Sequence, residues 1–147
     1  ESGNHYLGTS MFDESWTQTV AAHGKPVLLI IEGVLMYFDE AQVKAFFEMV
    51  QRKPQHTQIV MDTLFKRMVG KAQYHDALSQ MGEKPPEFRW GISNANDVLK
   101  LAQGSRLVEE QYLSDYCGKR YPFILRLIYK TKWGRENMDM RMLRVQL

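Results

Sequence analysis

The stretch Pro26-Val27-Leu28-Leu29-Ile30-Ile31-Glu32-Gly33-Val34-Leu35-Met36-Tyr37-Phe38 joins an apolar run of strand length to a turn and then to a capped helix. Five consecutive aliphatic residues leave no polar face, which is the pattern of a central parallel strand covered by helices on both sides. Glu32 ends the run abruptly and Gly33 frees the backbone to turn. A carboxylate at that point belongs at the carboxyl end of a sheet, where open α/β folds bind their ligands.

Working outward, Asp39 with Gln42 three residues on forms a capping box. Val43, Phe46, Phe47 and Val50 then recur at i, i+3, i+4 and i+7, so the helix lays one apolar stripe on the sheet. Upstream, Asp13 is an N-cap for a helix carrying Trp16 and Val20 and ending at Gly24, and His5 to Gly8 is a short strand candidate. Downstream, Thr57 to Met61 is a second buried strand closed by Asp62-Thr63. A helix is expected over Leu64 to Met81, and the prolines of Glu83-Lys84-Pro85-Pro86 break it into a loop. Ser93 or Asn94 caps a helix running through Val98, Leu101 and Ala102 to Gly104. Arg106 to Leu113 is a strand of mixed polarity near a sheet edge, and Pro122 opens a helix containing Phe123, Ile124, Leu127 and Ile128. Met138, Met140 and Met142 alternate with Asp139 and Arg141 as a half-buried final strand. The alternation of strand and helix predicts an α/β sheet with helices on both faces, mainly parallel, with an antiparallel strand near the C-terminal end.

Composition bounds the function. The chain has 147 residues, enough for one domain with a real core, and 24% charged residues with a net charge of +2. Its basic residues are interleaved with acids, which argues against nucleic acid and anionic membranes as partners. The longest apolar stretch stops at Glu32, well short of the roughly 20 residues of a membrane span. Cys117 is the only cysteine, so there is no internal disulfide and no cysteine-rich zinc site, and the chain suits a reducing cytoplasm. The four histidines show no metal-ligand spacing. The opening Glu1-Ser2-Gly3-Asn4-His5 has no initiating methionine and reads as the continuation of a longer chain.

The words Ile31-Glu32-Gly33-Val34-Leu35-Met36-Tyr37-Phe38 resemble the post-strand motif of the leucine carboxyl methyltransferase group, which includes the tetracenomycin-type polyketide O-methyltransferases. Ser10-Met11-Phe12-Asp13-Glu14-Ser15-Trp16 resembles the segment after that family's third strand, where the adenine of S-adenosylmethionine is held. Asp62-Thr63 resembles the turn after its fifth strand, Lys71 to Asp76 with Trp90-Gly91 its cap region, and Arg106 to Glu110 its penultimate strand. The family's glycine-containing turn after the first strand and its ribose-binding acid do not occur here. The resemblance therefore implies roughly the C-terminal half of one partial Rossmann-like methyltransferase domain, inactive by itself.

It implies that Glu32 contacts S-adenosylmethionine and that Met11 and Ser10 hold its adenine, with Ser10 departing from the acid common at that position. Tyr37, His75 and Trp90 are candidates for the acceptor pocket, and Asp62 for either a polar wall or a helix cap. The activity implied is methyl transfer to a small-molecule hydroxyl or carboxylate, with no residue identified as a base. The alternatives are methylation of a protein C-terminal carboxylate and a non-catalytic α/β interaction module. If the third strand is severed from its neighbours, Val27 to Ile31 becomes a sheet edge through which the chain self-associates.

Overall fold

The computed structural model describes residues 3–52, 56–72 and 86–147. Helix α1 (Glu14–Ala21) precedes strand β1 (Val27–Ile31), and a single 3-10 turn (Leu35–Tyr37) leads to helix α2 (Glu40–Arg52). Strand β2 (Thr57–Thr63) is followed by a 3-10 turn (Lys66–Met68) and the short helix α3 (Asn96–Leu99). Strand β3 (Arg106–Tyr112) then runs into helix α4 (Leu113–Cys117), helix α5 (Phe123–Ile128), helix α6 (Lys132–Met138) and the last strand β4 (Arg141–Gln146).

The four strands form one mixed sheet in the order β1-β2-β4-β3. β1 and β2 are parallel, with Val27 opposite Thr57 and Ile31 opposite Met61. β4 inserts between β2 and β3 and runs antiparallel to both. Three strands therefore share one direction and β4 is the reversed strand near the C-terminal end. Only one of the three pairings is parallel, however, so the sheet is mixed where a mainly parallel one was expected.

The core lies on one face of this sheet. Val43, Phe46, Phe47 and Val50 of α2 are all essentially inaccessible and pack with Ile59 and Met61 of β2 and Leu143 and Val145 of β4. The capping box forms as the sequence requires: the Asp39 carboxylate accepts from Gln42 N–H at 2.8 Å and the Gln42 amide oxygen accepts from Asp39 N–H at 3.1 Å. Asp13 likewise caps α1, accepting from Ser15 N–H at 2.8 Å.

Several expectations need correction. Helices do not cover both faces of β1: Leu28 and Ile30 are 55% and 71% exposed, while Leu29 and Ile31, on the other parity, pack on the core. His5 to Gly8 forms no strand and lies exposed. From Leu64 to Ala72 the chain makes a 3-10 turn and an isolated bridge (Phe65 to Ile92) in place of a helix; residues 73–85 lie outside the described set. The close approach there suits Gly91, where a Cβ would sit 2.9 Å from the Leu64 carbonyl oxygen. Helix α3 stops at Leu99, short of Ala102. In β4 the buried positions are Arg141, Leu143 and Val145, and Met138 closes α6. The methionine alternation had suggested the opposite parity. Not every aromatic is core: Tyr116, Phe123 and Trp133 are exposed.

If packing against the sheet outweighs local capping, two substitutions should separate clearly. Asp39→Ala should lower unfolding stability by about 1 kcal/mol, and Phe47→Ala by about 3–5 kcal/mol, both read from urea unfolding curves.

Candidate functional site

The parallel pair β1 and β2 ends side by side, and each strand delivers a carboxylate there. Glu32 follows Ile31 directly and is exposed, whereas Asp62 is 8% exposed. The Asp62 carboxylate accepts from Gly33 N–H at 2.9 Å. Gly33 has φ of +66°, a conformation that an L side chain resists, so the turn depends on both the glycine and the carboxylate that anchors it. Asp62 is thus neither a free polar wall nor a helix cap. It fastens the end of β1 and thereby aims Glu32. Burial holds the Asp62 carboxyl above its ordinary range and the Glu32 charge pushes in the same direction, while the Gly33 N–H opposes them.

The other wall is made by the segment before α1 together with Trp16 of α1. Trp16 donates its indole N–H to the Met11 carbonyl at 2.9 Å and stacks on Phe46 at 6.4 Å between ring centroids. Phe12 meets Phe38 edge-on at 4.8 Å and Phe46 at 6.3 Å. This aromatic cluster fixes Met11 against α2, although Met11 precedes Glu32 by 21 residues. The result is an open cleft of about 540 Å³ along β1, lined by Leu29, Ile30, Ile31, Glu32 and Val34 on one side and by Met11, Trp16 and Phe46. Its lining side chains carry one charge, the Glu32 carboxylate, among otherwise apolar groups. Such a cleft suits a ligand with a flat apolar portion and hydrogen-bond donors.

The sequence-predicted residues divide accordingly. Glu32 and Met11 come together in the cleft. Ser10 lies beside them in the chain, but its hydroxyl accepts from Phe12 N–H at 3.3 Å and so serves its own turn. Tyr37 packs with Phe88, at 5.7 Å between ring centroids, in a second apolar cluster with Met36 and Leu64. Trp90 is 3% exposed within the main core, and its backbone N–H donates to the Met36 carbonyl at 3.2 Å. Its place is beneath the 3-10 turn, not on the cleft wall. His75 lies outside the described residues. No protein-family model matches the chain, and no curated protein matches it. Among the described residues no group of three or more metal-ligating side chains converges, and no helix is long and apolar enough to cross a membrane.

Sequence reasoning missed the role of Asp62 because nothing in Met61-Asp62-Thr63 specifies a bond to an N–H 29 residues away. It also missed Arg141, which is 1% exposed. Its guanidinium donates to the carbonyls of Ser93 at 2.8 Å and Glu136 at 3.0 Å. Nε lies 3.3 Å from the Glu110 carboxylate, an ion pair without hydrogen-bond alignment. This one side chain ties the segment before α3, the end of α6 and β3 to the first residue of β4.

The raised Asp62 carboxyl gives a signed pH effect. Folded Asp62 takes up its proton more readily than unfolded Asp62, so ionisation costs stability. The cost is absent below the ordinary value of 3.8 and grows as pH rises through the higher folded value. Asp62→Asn keeps an oxygen to accept from Gly33 N–H. It should be more stable than the parent at neutral pH, with the difference vanishing below about pH 4, as measured by urea unfolding across a pH series. Asp62→Ala, which releases the turn, should destabilise at every pH.

Proposed function

We propose that this chain is a portion of an S-adenosylmethionine-dependent O-methyltransferase that acts on a small-molecule hydroxyl or carboxylate, of the polyketide-modifying type. The observation that carries the reading is the convergence of Glu32 and Met11 on one cleft at the carboxyl end of β1. These are two of the three residues that the family resemblance assigns to the cofactor, and separate elements supply them. A sheet with three co-directed strands and one reversed strand near the C-terminal end also supports it.

The cleft's chemistry fits the cofactor. Met11 offers a polarizable wall for an adenine ring, Trp16 and Phe46 extend that apolar surface, and Glu32 is an acceptor for ligand hydroxyl or amine groups. The bound cofactor supplies an activated methyl group on a sulfonium. The protein's task is then alignment: Asp62 and Gly33 hold the turn that presents Glu32, and the aromatic cluster holds Met11, so that the ligand's position is fixed before an acceptor approaches. A carboxylate acceptor is already a nucleophile and needs no base, whereas a phenol gains from one.

In the protein that carries this chain, Glu32→Ala should weaken S-adenosylmethionine binding by about 1.5–3 kcal/mol, the loss of a charge-assisted hydrogen bond. The 147-residue chain alone should bind the cofactor only weakly and transfer no methyl group. Calorimetric titration of parent and variant checks the first expectation, and protein-detected NMR at millimolar cofactor checks the second. Unchanged affinity in the variant, or shifts that map away from Met11 and Glu32, would sink the assignment.

A further inference from the structure

The interleaving of acids and bases breaks down in one segment. From Tyr116 to Arg135 the chain places six of its 19 lysines and arginines and none of its 17 acids. Folding brings five of the six together. Helix α4, the 3-10 turn Gly118–Arg120, α5 and α6 enclose a cavity of about 700 Å³ lined by Lys119, Arg120, Arg126, Lys130 and Arg135. The one acid on its wall, Asp115, is already engaged in an ion pair with Arg135. Arg135 Nε also donates to the Tyr129 carbonyl at 3.0 Å, and its guanidinium lies over the Tyr112 ring at 5.1 Å from the centroid, so this arginine is held in place. The other four cations have no ion pair and no side-chain hydrogen bond among the described residues. Like charges around one concave surface repel, and an anion seated among them turns that repulsion into attraction.

We infer that this cavity is a binding site for a phosphate-bearing ligand. Charge selects phosphate over carboxylate: a phosphate group brings close to two charges and several acceptor oxygens to four unpaired cations, whereas a single carboxylate leaves most of them unmatched. Arg120 and Arg126 supply two unengaged guanidinium forks, the donor geometry that matches phosphate oxygens in pairs. The volume exceeds that of a bare phosphate ion and suits a phosphorylated small molecule or a lipid headgroup. Its place in the fold agrees. β3 runs in the direction of β1 and β2, and α4 follows it directly, so the cavity lies at the carboxyl end of the sheet, where open α/β folds bind ligands. It shares no lining residue with the Glu32 cleft, and β3 and β1 stand at opposite edges of the sheet. The inference therefore stands apart from the methyl-transfer reading.

The first probe is pyrophosphate, titrated at low ionic strength, where exposed cations are least screened, into the 147-residue chain. Saturable NMR shifts are expected among the amides of residues 114–135 and not at Glu32. Alkylation of Cys117 by iodoacetamide should slow, because that thiol lines the cavity. Replacing both forks, Arg120→Ala with Arg126→Ala, should weaken binding about tenfold or more with the unfolding curve unchanged, since both side chains are exposed. Lys130→Glu should weaken it similarly and decides the matter should the double variant fail to fold. Lys132→Ala removes a charge from the same segment but not from the cavity wall, and should leave the affinity within about twofold. The second probe is a phosphatidylcholine vesicle with and without phosphatidic acid. Pyrophosphate binding without arginine-dependent vesicle binding makes the ligand a soluble phosphate; vesicle binding that needs Arg120 and Arg126 and is displaced by pyrophosphate makes it a headgroup. Both outcomes support the site. Failure of both probes to saturate, shifts centred elsewhere, or an equal loss in Lys132→Ala, the mark of net-charge attraction alone, would overturn it.

Discussion

The apolar stripe of α2 pressed against the inner face of β2 and β4 is the contact from which the rest of the molecule is positioned. Val43, Phe46, Phe47 and Val50 are essentially removed from solvent there, and each such side chain contributes about 1.5–3 kcal/mol of burial. Phe46 has a second partner set. Its ring also receives Trp16 and Phe12, so the helix that anchors the sheet also anchors the segment carrying Met11. The cleft wall is thus built onto the core packing, with the Trp16 indole bond to the Met11 carbonyl fastening it there.

A second constraint acts at the ends of the parallel strands. Because β1 and β2 run in the same direction and in register, their last residues lie side by side, and the acids that follow them are forced into proximity. The structure resolves the resulting repulsion by giving the two carboxylates different environments. Asp62 is buried and engaged by a backbone N–H, and Glu32 stays in water at the cleft. Only the second is available to a ligand. Two acids with the same appearance in sequence therefore have different work, divided by burial.

Both expected strands with a charge at their carboxyl end lie where the residue pattern put them, β1 to the residue and β2 two residues longer. The capping box at Asp39 and the stripe of α2 were equally legible, because caps and helical periodicity are local properties. The 64–72 segment was not, since its apolar residues sit at helical spacing yet Lys66 N–H and Ile92 carbonyl, with Ile92 N–H and Leu64 carbonyl, recruit that backbone into a tertiary bridge. The parity of β4 failed for a related reason. Methionine is apolar enough to suggest the inner face, but Arg141 takes that face at the strand's start because three separate segments offer it partners.

By itself, the sequence determined the α/β class, the direction change at Gly33, the helix that covers the sheet and the carboxylate at the end of β1. All of these follow from short-range rules of sterics, capping and hydrophobic period. Tertiary structure alone decided which face of β1 is covered, which acid holds the turn and which faces the cleft, and that Met11 and Glu32 line one cleft while Trp90 sinks into the core. The physical reason is that burial and hydrogen-bond partnership depend on what the folded chain brings alongside a residue, and no local pattern encodes a neighbour 21 or 29 positions away.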